Sequence, residues 1–256
     1  MEYGSSLSFI IICIGAFIGS FVDAIAGGGG LISVPAYFLG GFPAHFALGT
    51  NKLSATFGSL SSTIEFFRNG KIAFGLVKYI IPCTLIGAIL GVNSVLLINQ
   101  DFLYPLVSIM ILIVGIYTYF KKDLGLVNTY QLKSKYQIAM GMFFGFLLGF
   151  YDGFFGPGTG AFLLFVFIKF FGMDFVNAGG NTKILNFVSN ATSLIVFALA
   201  GKINFKVGIV AGLFALVGSI IGTKVAIKKG ASFVKPIFLI MSFAVFLKVV
   251  YEMIVK

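Results

Sequence analysis

A chain of 256 residues that is 59% hydrophobic and 10% charged, with a mean hydropathy of +1.05, is too apolar for a soluble globular domain and reads as an all-α integral membrane protein. Its net charge of +10 comes from lysines that lie mostly in short loops between apolar runs, where they orient helices in a bilayer, so nucleic acid is not an expected partner. Cys13 and Cys83 both fall inside apolar runs and give no support to a disulfide or metal framework; a single histidine and no HExxH, CxxC or GxSxG pattern argue against an enzyme, and no cofactor is implied.

In chain order the apolar runs predict helices over 7–26, 31–40, 44–67, 72–98 and 102–120. The first follows a short tail with no basic region and reads as a retained span. A polar linker over 121–135 is the longest charged connection. After it the pattern restarts, over 136–155, 160–171, 175–200, 205–227 and 233–255. The runs leave no room for a separate soluble domain, so residues 1–256 are expected to form one membrane domain.

The stretch 15–53 does not suit a lipid-facing helix. It contains Asp23, the run Gly27, Gly28, Gly29 and Gly30, two prolines, and the polar cluster Thr50, Asn51 and Lys52. Each glycine costs a helix about 1 kcal/mol relative to alanine, so the helix is expected to break there. At membrane depth the freed backbone groups need partners in protein or in a water-lined cavity. A broken helix also presents N–H groups and the positive end of a helix dipole, which suits an anion.

The restart is visible residue by residue. A single offset of 131 carries Lys52 onto Lys183, Gly70-Lys71-Ile72 onto Gly201-Lys202-Ile203, Gly87 and Gly91 onto Gly218 and Gly222, Pro105 onto Pro236 and Met110 onto Met241. With small indels, Asp23 answers to Asp152 and the glycine run to Gly156-Pro157-Gly158-Thr159-Gly160. Two homologous repeats are expected, about 7–120 and 136–255, each with a broken or re-entrant segment, which is the pattern of a secondary transporter with its site between the repeats. They are parallel if the glycine-led segment belongs to one broken span, and inverted if it crosses separately or folds back. Arg68, Lys71, Lys78, Lys121, Lys122, Lys133 and Lys135 share a side in both cases; inversion adds Lys224, Lys228, Lys229 and Lys235, and the parallel case adds Lys202, Lys206 and the C-terminus, so the bias leans slightly to inversion.

Duplication of Lys52 as Lys183, each within an Asn/Thr cluster, favours an anion site over lysines that snorkel to the interface. Thr50, Asn51, Asn181 and Thr182 would add donors, while Asn186 and Asn190 lie at i+3 and i+7 from Lys183 on one helix face, either lining the site or gluing helices together. Asp23 and Asp152 have two competing roles: carriers of a coupling H+ or Na+, or caps at the helix breaks. Glu65 and Arg68 read as an interfacial ion pair, and His45 as an interfacial residue. The G-x-x-x-G pairs Gly87/Gly91 and Gly218/Gly222 imply close helix packing, within the fold or in a homodimer.

At DAIAGGGGLISVP with ALGTNKL, and again at GFYDGFFGPGTGAF with NTKILNFVSN, the chain resembles the TauE/SafE (TSUP) family of sulfite and organosulfonate exporters. The resemblance covers essentially the whole chain. It implies about eight spans, a bacterial or archaeal cytoplasmic membrane, and transport of small sulfur-containing anions such as sulfite, thiosulfate or sulfoacetate. An anion channel, or a carrier of an unrelated small anion or of a coupled cation, is the alternative.

Overall fold

A computed structural model describes residues 6–99, 127–131 and 135–229. Eight helices and no strands are present among them: α1 (Ser6–Ala26), α2 (Gly30–Leu39), α3 (Ala44–Arg68), α4 (Phe74–Leu96), α5 (Lys135–Phe154), α6 (Thr159–Phe171), α7 (Phe175–Leu199) and α8 (Phe205–Lys229). The predicted helices over 102–120 and 233–255, and most of the linker 121–135, lie outside the described residues. The boundaries expected from sequence agree within a few residues, with breaks at Gly27–Gly29 and at 155–158.

By length and apolar composition five helices could cross a membrane: α1, α4, α5, α7 and α8. Helix α3 has the length, 25 residues, but a stripe of Asn, Lys, Ser and Thr makes it the more polar interior helix. Helices α2 and α6, with 10 and 13 residues, reach only about 15–20 Å, roughly half of a bilayer's hydrocarbon thickness. Large apolar side chains such as Ile10, Ile14, Phe143, Leu147, Leu213 and Phe214 are exposed, as a lipid-facing surface requires.

The short helices turn back. Gly29 and Ser33 lie against Gly19, Ala36 against Gly15 and Gly40 against Ile12, so α2 runs antiparallel to α1. Phe170 stacks on Phe144 and Phe162 meets Tyr151, so α6 likewise returns along α5. Each short helix thus forms a helical hairpin with the helix before it.

Missing side chains let the longer helices touch backbone to backbone. A Cβ on Gly87 would lie 2.2 Å from the Phe146 carbonyl oxygen and one on Gly91 2.1 Å from that of Phe150; the matching Gly218 and Gly222 stand the same way against Phe17 and Phe21, at 2.3 and 2.4 Å. The G-x-x-x-G faces are thus used inside the chain, α4 on α5 and α8 on α1, each pair running in one direction. Helix α3 runs parallel to α8, with Phe57 on Gly212 and Ser62 hydrogen-bonded to Ser219 and Thr223, and antiparallel to α7, with Phe66 near Gly179 and Phe197 near Gly49.

Going from the 201–204 end to the 69–73 end, α1, α3, α6 and α8 run one way and α2, α4, α5 and α7 the other. Arg68, Lys71, Lys78, Lys135, Lys169, Lys224, Lys228 and Lys229 gather toward the 69–73 end, and Lys202 and Lys206 toward the opposite one.

Two expectations are corrected. His45 is not interfacial: it is buried, and its Nε2–H donates to the Val95 carbonyl at 3.0 Å, satisfying the end of α4. The ion pairs within 4 Å among the described residues are Lys52–Asp152 and Lys183–Asp23, and Glu65 and Arg68 make none. Arg68 projects outward at a helix end, where solvent leaves such a pair little to gain.

Candidate functional site

The two helix breaks meet. Gly27 has φ +76° and packs so tightly on the second break that a Cβ would fall 2.3 Å from the Gly160 carbonyl carbon; a Cβ on Gly160 would fall 2.5 Å from the Gly27 oxygen. Gly30 abuts Pro157. Both positions therefore need glycine, for the contact and, at Gly27, for the backbone conformation. Around this contact the starts of α2 and α6 converge. Most N–H groups at these starts already have acceptors: Gly29 donates to Asp23, Leu31 to the Gly28 carbonyl, Ile32 and Ser33 to that of Gly29, and Thr159 to that of Gly156.

Beside them is a small cavity that opens on one side. Its wall includes Gly27, Gly29 and Gly30 from the first break, Gly156, Gly158, Thr159 and Gly160 from the second, Asn51 and Lys52 from α3, and Asn186 and Asn190 from α7. Asp23, Asp152 and the hydroxyl residues Ser20, Ser33, Ser54 and Ser59 complete the polar lining. The breaks, the polar cluster of α3 and the polar face of α7, far apart in sequence, thus come to one place.

The lysines and aspartates pair crosswise. Lys52 of α3 meets Asp152 of α5, Nζ to Oδ1 at 3.0 Å, with side-chain exposures of 3% and 6%. Lys183 of α7 meets Asp23 of α1, Nζ to Oδ2 at 2.6 Å, with exposures of 1% and 27%. Lys52 also donates to the Asp152 main-chain oxygen at 2.5 Å and to Asn190 Oδ1 at 3.2 Å. Gly156 makes room for it: a Cβ there would stand 3.0 Å from the ammonium nitrogen. Asp152 accepts a further hydrogen bond from the Ser189 hydroxyl, and Asp23 accepts the Gly29 N–H at 3.3 Å, so Asp23 is both an ion-pair partner and a cap on the break. Charges buried this deeply persist only when compensated.

Other residues expected at the site stand elsewhere. Thr50 and Asn181, at matching positions, accept backbone N–H groups across the molecule, from Asn204 at 3.0 Å and Ala73 at 2.9 Å, and so fix the loops that enter α8 and α4. Thr182 is fully buried, and its hydroxyl has no partner among the described residues. Gly28 and Lys183 are not part of the cavity wall. Asn51 and Asn186 do line it, and each has a buried Oδ1 without a partner among the described residues; an amide in that position can offer either its oxygen or its N–H₂ to a ligand. Sequence reasoning missed Ser189, Ser20, Ser33 and Ser54: Ser20 and Ser33 stand singly among apolar residues, and Ser54 and Ser189 fall off the i+3/i+7 spacing from Lys52 and Lys183.

The family model for the sulfite exporter TauE/SafE family matches residues 11–249. Among curated proteins, the chain is 37% identical to a probable membrane transporter protein of Haemophilus influenzae over 98% of each chain. It is 35% identical to probable membrane transporter protein ORF9 of a Sinorhizobium species, covering 96% of this chain and 93% of that one. It is 32% identical to probable membrane transporter protein YfcA of Escherichia coli K12, over 93% and 87%. No solved structure matches the chain.

Proposed function

The chain belongs to the sulfite exporter TauE/SafE family and is a multi-pass membrane transporter; on that premise we propose that it carries a small sulfur-containing oxyanion or sulfonate across a prokaryotic cytoplasmic membrane, by alternating access around the central cavity. Export is the direction in which an inside-negative potential drives a divalent anion, alone or with one accompanying proton. The observation that carries this reading is the cavity at the meeting of two helix starts, with the ammonium of Lys52 in its wall. The positive ends of two helix dipoles, the hydroxyls and amides of the wall and one ammonium can replace part of an oxyanion's hydration shell.

The arrangement also supports two inverted repeats in one membrane domain. Helices at matching positions run in opposite directions, the matching G-x-x-x-G faces make matching contacts, and Thr50 and Asn181 receive equivalent hydrogen bonds. The cationic residues at the 69–73 end favour a cytoplasmic position for that end.

Thermal stabilisation of the purified protein in detergent tests the ligand class, with sulfite, thiosulfate, sulfate, sulfoacetate, acetate and chloride. A ligand at a hundredfold excess over its Kd stabilises the folded state by about 2.7 kcal/mol, worth several degrees of melting temperature. The expected result is a selective rise with one or more sulfur anions that disappears in Lys52→Met/Asp152→Asn, which removes the buried pair without stranding a charge. Equal stabilisation by chloride and acetate, or none by any sulfur anion, contradicts the reading.

A further inference from the structure

The duplicated lysines are not used alike. Lys52 and its partner Asp152 both line the cavity, whereas of the other pair only Asp23 does, and Lys183 sits behind it. An anion arriving at Lys52 must therefore share that ammonium with a carboxylate already bound to it. Two negative groups on one cation in a poorly solvated wall disfavour each other strongly.

Resting on the anion-site reading above, we propose that Asp152 takes up one proton for each anion that binds, so that Lys52 passes from the aspartate to the anion and anion and proton cross together. Lys52 remains protonated throughout. It keeps Asn190 Oδ1 and the Asp152 main-chain oxygen as acceptors while an anion oxygen replaces Asp152 Oδ1. The proton comes from the cavity and adds to Asp152; no covalent bond other than that O–H forms, and none breaks in the protein.

The surroundings of Asp152 are suited to both states. As a carboxylate it accepts from the Ser189 hydroxyl; as a carboxylic acid it can donate to that oxygen, because the Ser189 hydrogen has a second acceptor, the Asn186 carbonyl at 3.2 Å. Position 189 corresponds at the 131 offset to Gly58, so Asp23 has no such hydroxyl. Asp23 instead keeps Lys183 and the Gly29 N–H, neither of which the anion displaces. The titratable and charged groups near Asp152 are Lys52 from α3, the adjacent Tyr151, whose hydroxyl donates to the Pro157 carbonyl at 2.8 Å, and, across the cavity, Asp23 from α1 paired with Lys183 from α7. Lys78, Tyr79 and Cys83 of α4 and Lys169 of α6 sit at least a turn nearer the opposite end of α5.

Titration calorimetry on the detergent-purified chain tests this, using methanesulfonate and thiosulfate, whose charges stay fixed near neutral pH, in buffers of different ionisation enthalpy. The expected result is about one proton taken up per anion, with Kd rising toward tenfold per pH unit as Asp152 in the complex comes to need a proton that the solution supplies less readily. Asp152→Asn is expected to bind with no proton uptake and a flat pH profile, and Asp23→Asn to keep the uptake. Binding by the wild type without proton uptake overturns the coupling and leaves the anion site standing. Undiminished uptake in Asp152→Asn overturns its assignment to that residue. If neither anion binds the wild type at any pH, the anion-site reading falls, and the coupling with it. The wild-type buffer series decides the coupling even if a variant fails to fold.

Discussion

At the scale of single residues, Lys52 and Lys183 match in sequence but differ in what their loss would leave behind. Replacing Lys52 with Met strands Asp152, whose side chain is 6% exposed, and breaking a buried pair in this way costs about 3–5 kcal/mol. Replacing Lys183 strands Asp23, which is 27% exposed to the cavity and keeps the Gly29 N–H. The expected order of melting temperatures is wild type, then Lys183→Met, then Lys52→Met, with Lys183→Met/Asp23→Asn recovering most of its loss. Equal losses in the two single variants would contradict the difference in environment. All four charged residues stand out in the sequence as ionisable groups in apolar runs, but their pairing does not. Each lysine takes the aspartate of the other half, 100 or 160 residues away, and a contact between non-matching members of a duplication leaves no periodicity to read.

The helix breaks are legible one level up, because four glycines in a row cannot be mistaken for a stable helix and the short segments after each break cannot span a bilayer. That the segments fold back is not legible. A ten-residue helix fits a half-span in either direction, and the direction is decided by Gly15 and Gly19 receiving the returning helix. The contacts also separate glycines that look alike in sequence. Gly27→Ala and Gly160→Ala each drive a Cβ into the facing backbone and are expected to lower folded yield and melting temperature sharply. The nearest atom to a Cβ on Gly28 is 3.9 Å away, so Gly28→Ala is expected to fold and transport much like the wild type. Size-exclusion profiles and melting curves of the three variants check this; a Gly28→Ala variant as damaged as Gly27→Ala would mean that the breaks do not pack as described.

For the molecule as a whole, sequence pattern carries the all-helical membrane class and the duplication offset, while the relative direction of the halves rests in the sequence on a few lysines. The packing, with α4 parallel to α5 and antiparallel to α8, supports the proposed inverted arrangement. In a background with Cys13 and Cys83 replaced by Ser, Asn69→Cys and Lys229→Cys are expected to react with a membrane-impermeant thiol reagent from the same side, and Gly201→Cys from the other. Labelling of positions 69 and 201 from one side would contradict the inverted arrangement, because that is the parallel one. The most direct test of the transport claim is counterflow in proteoliposomes loaded with unlabelled sulfite or thiosulfate and placed in a trace of the labelled anion. A carrier that alternates around the Lys52 cavity will accumulate label transiently above equilibrium, and Lys52→Met/Asp152→Asn will not. Label that only equilibrates in the wild type, or an overshoot of equal size in the variant, would contradict it.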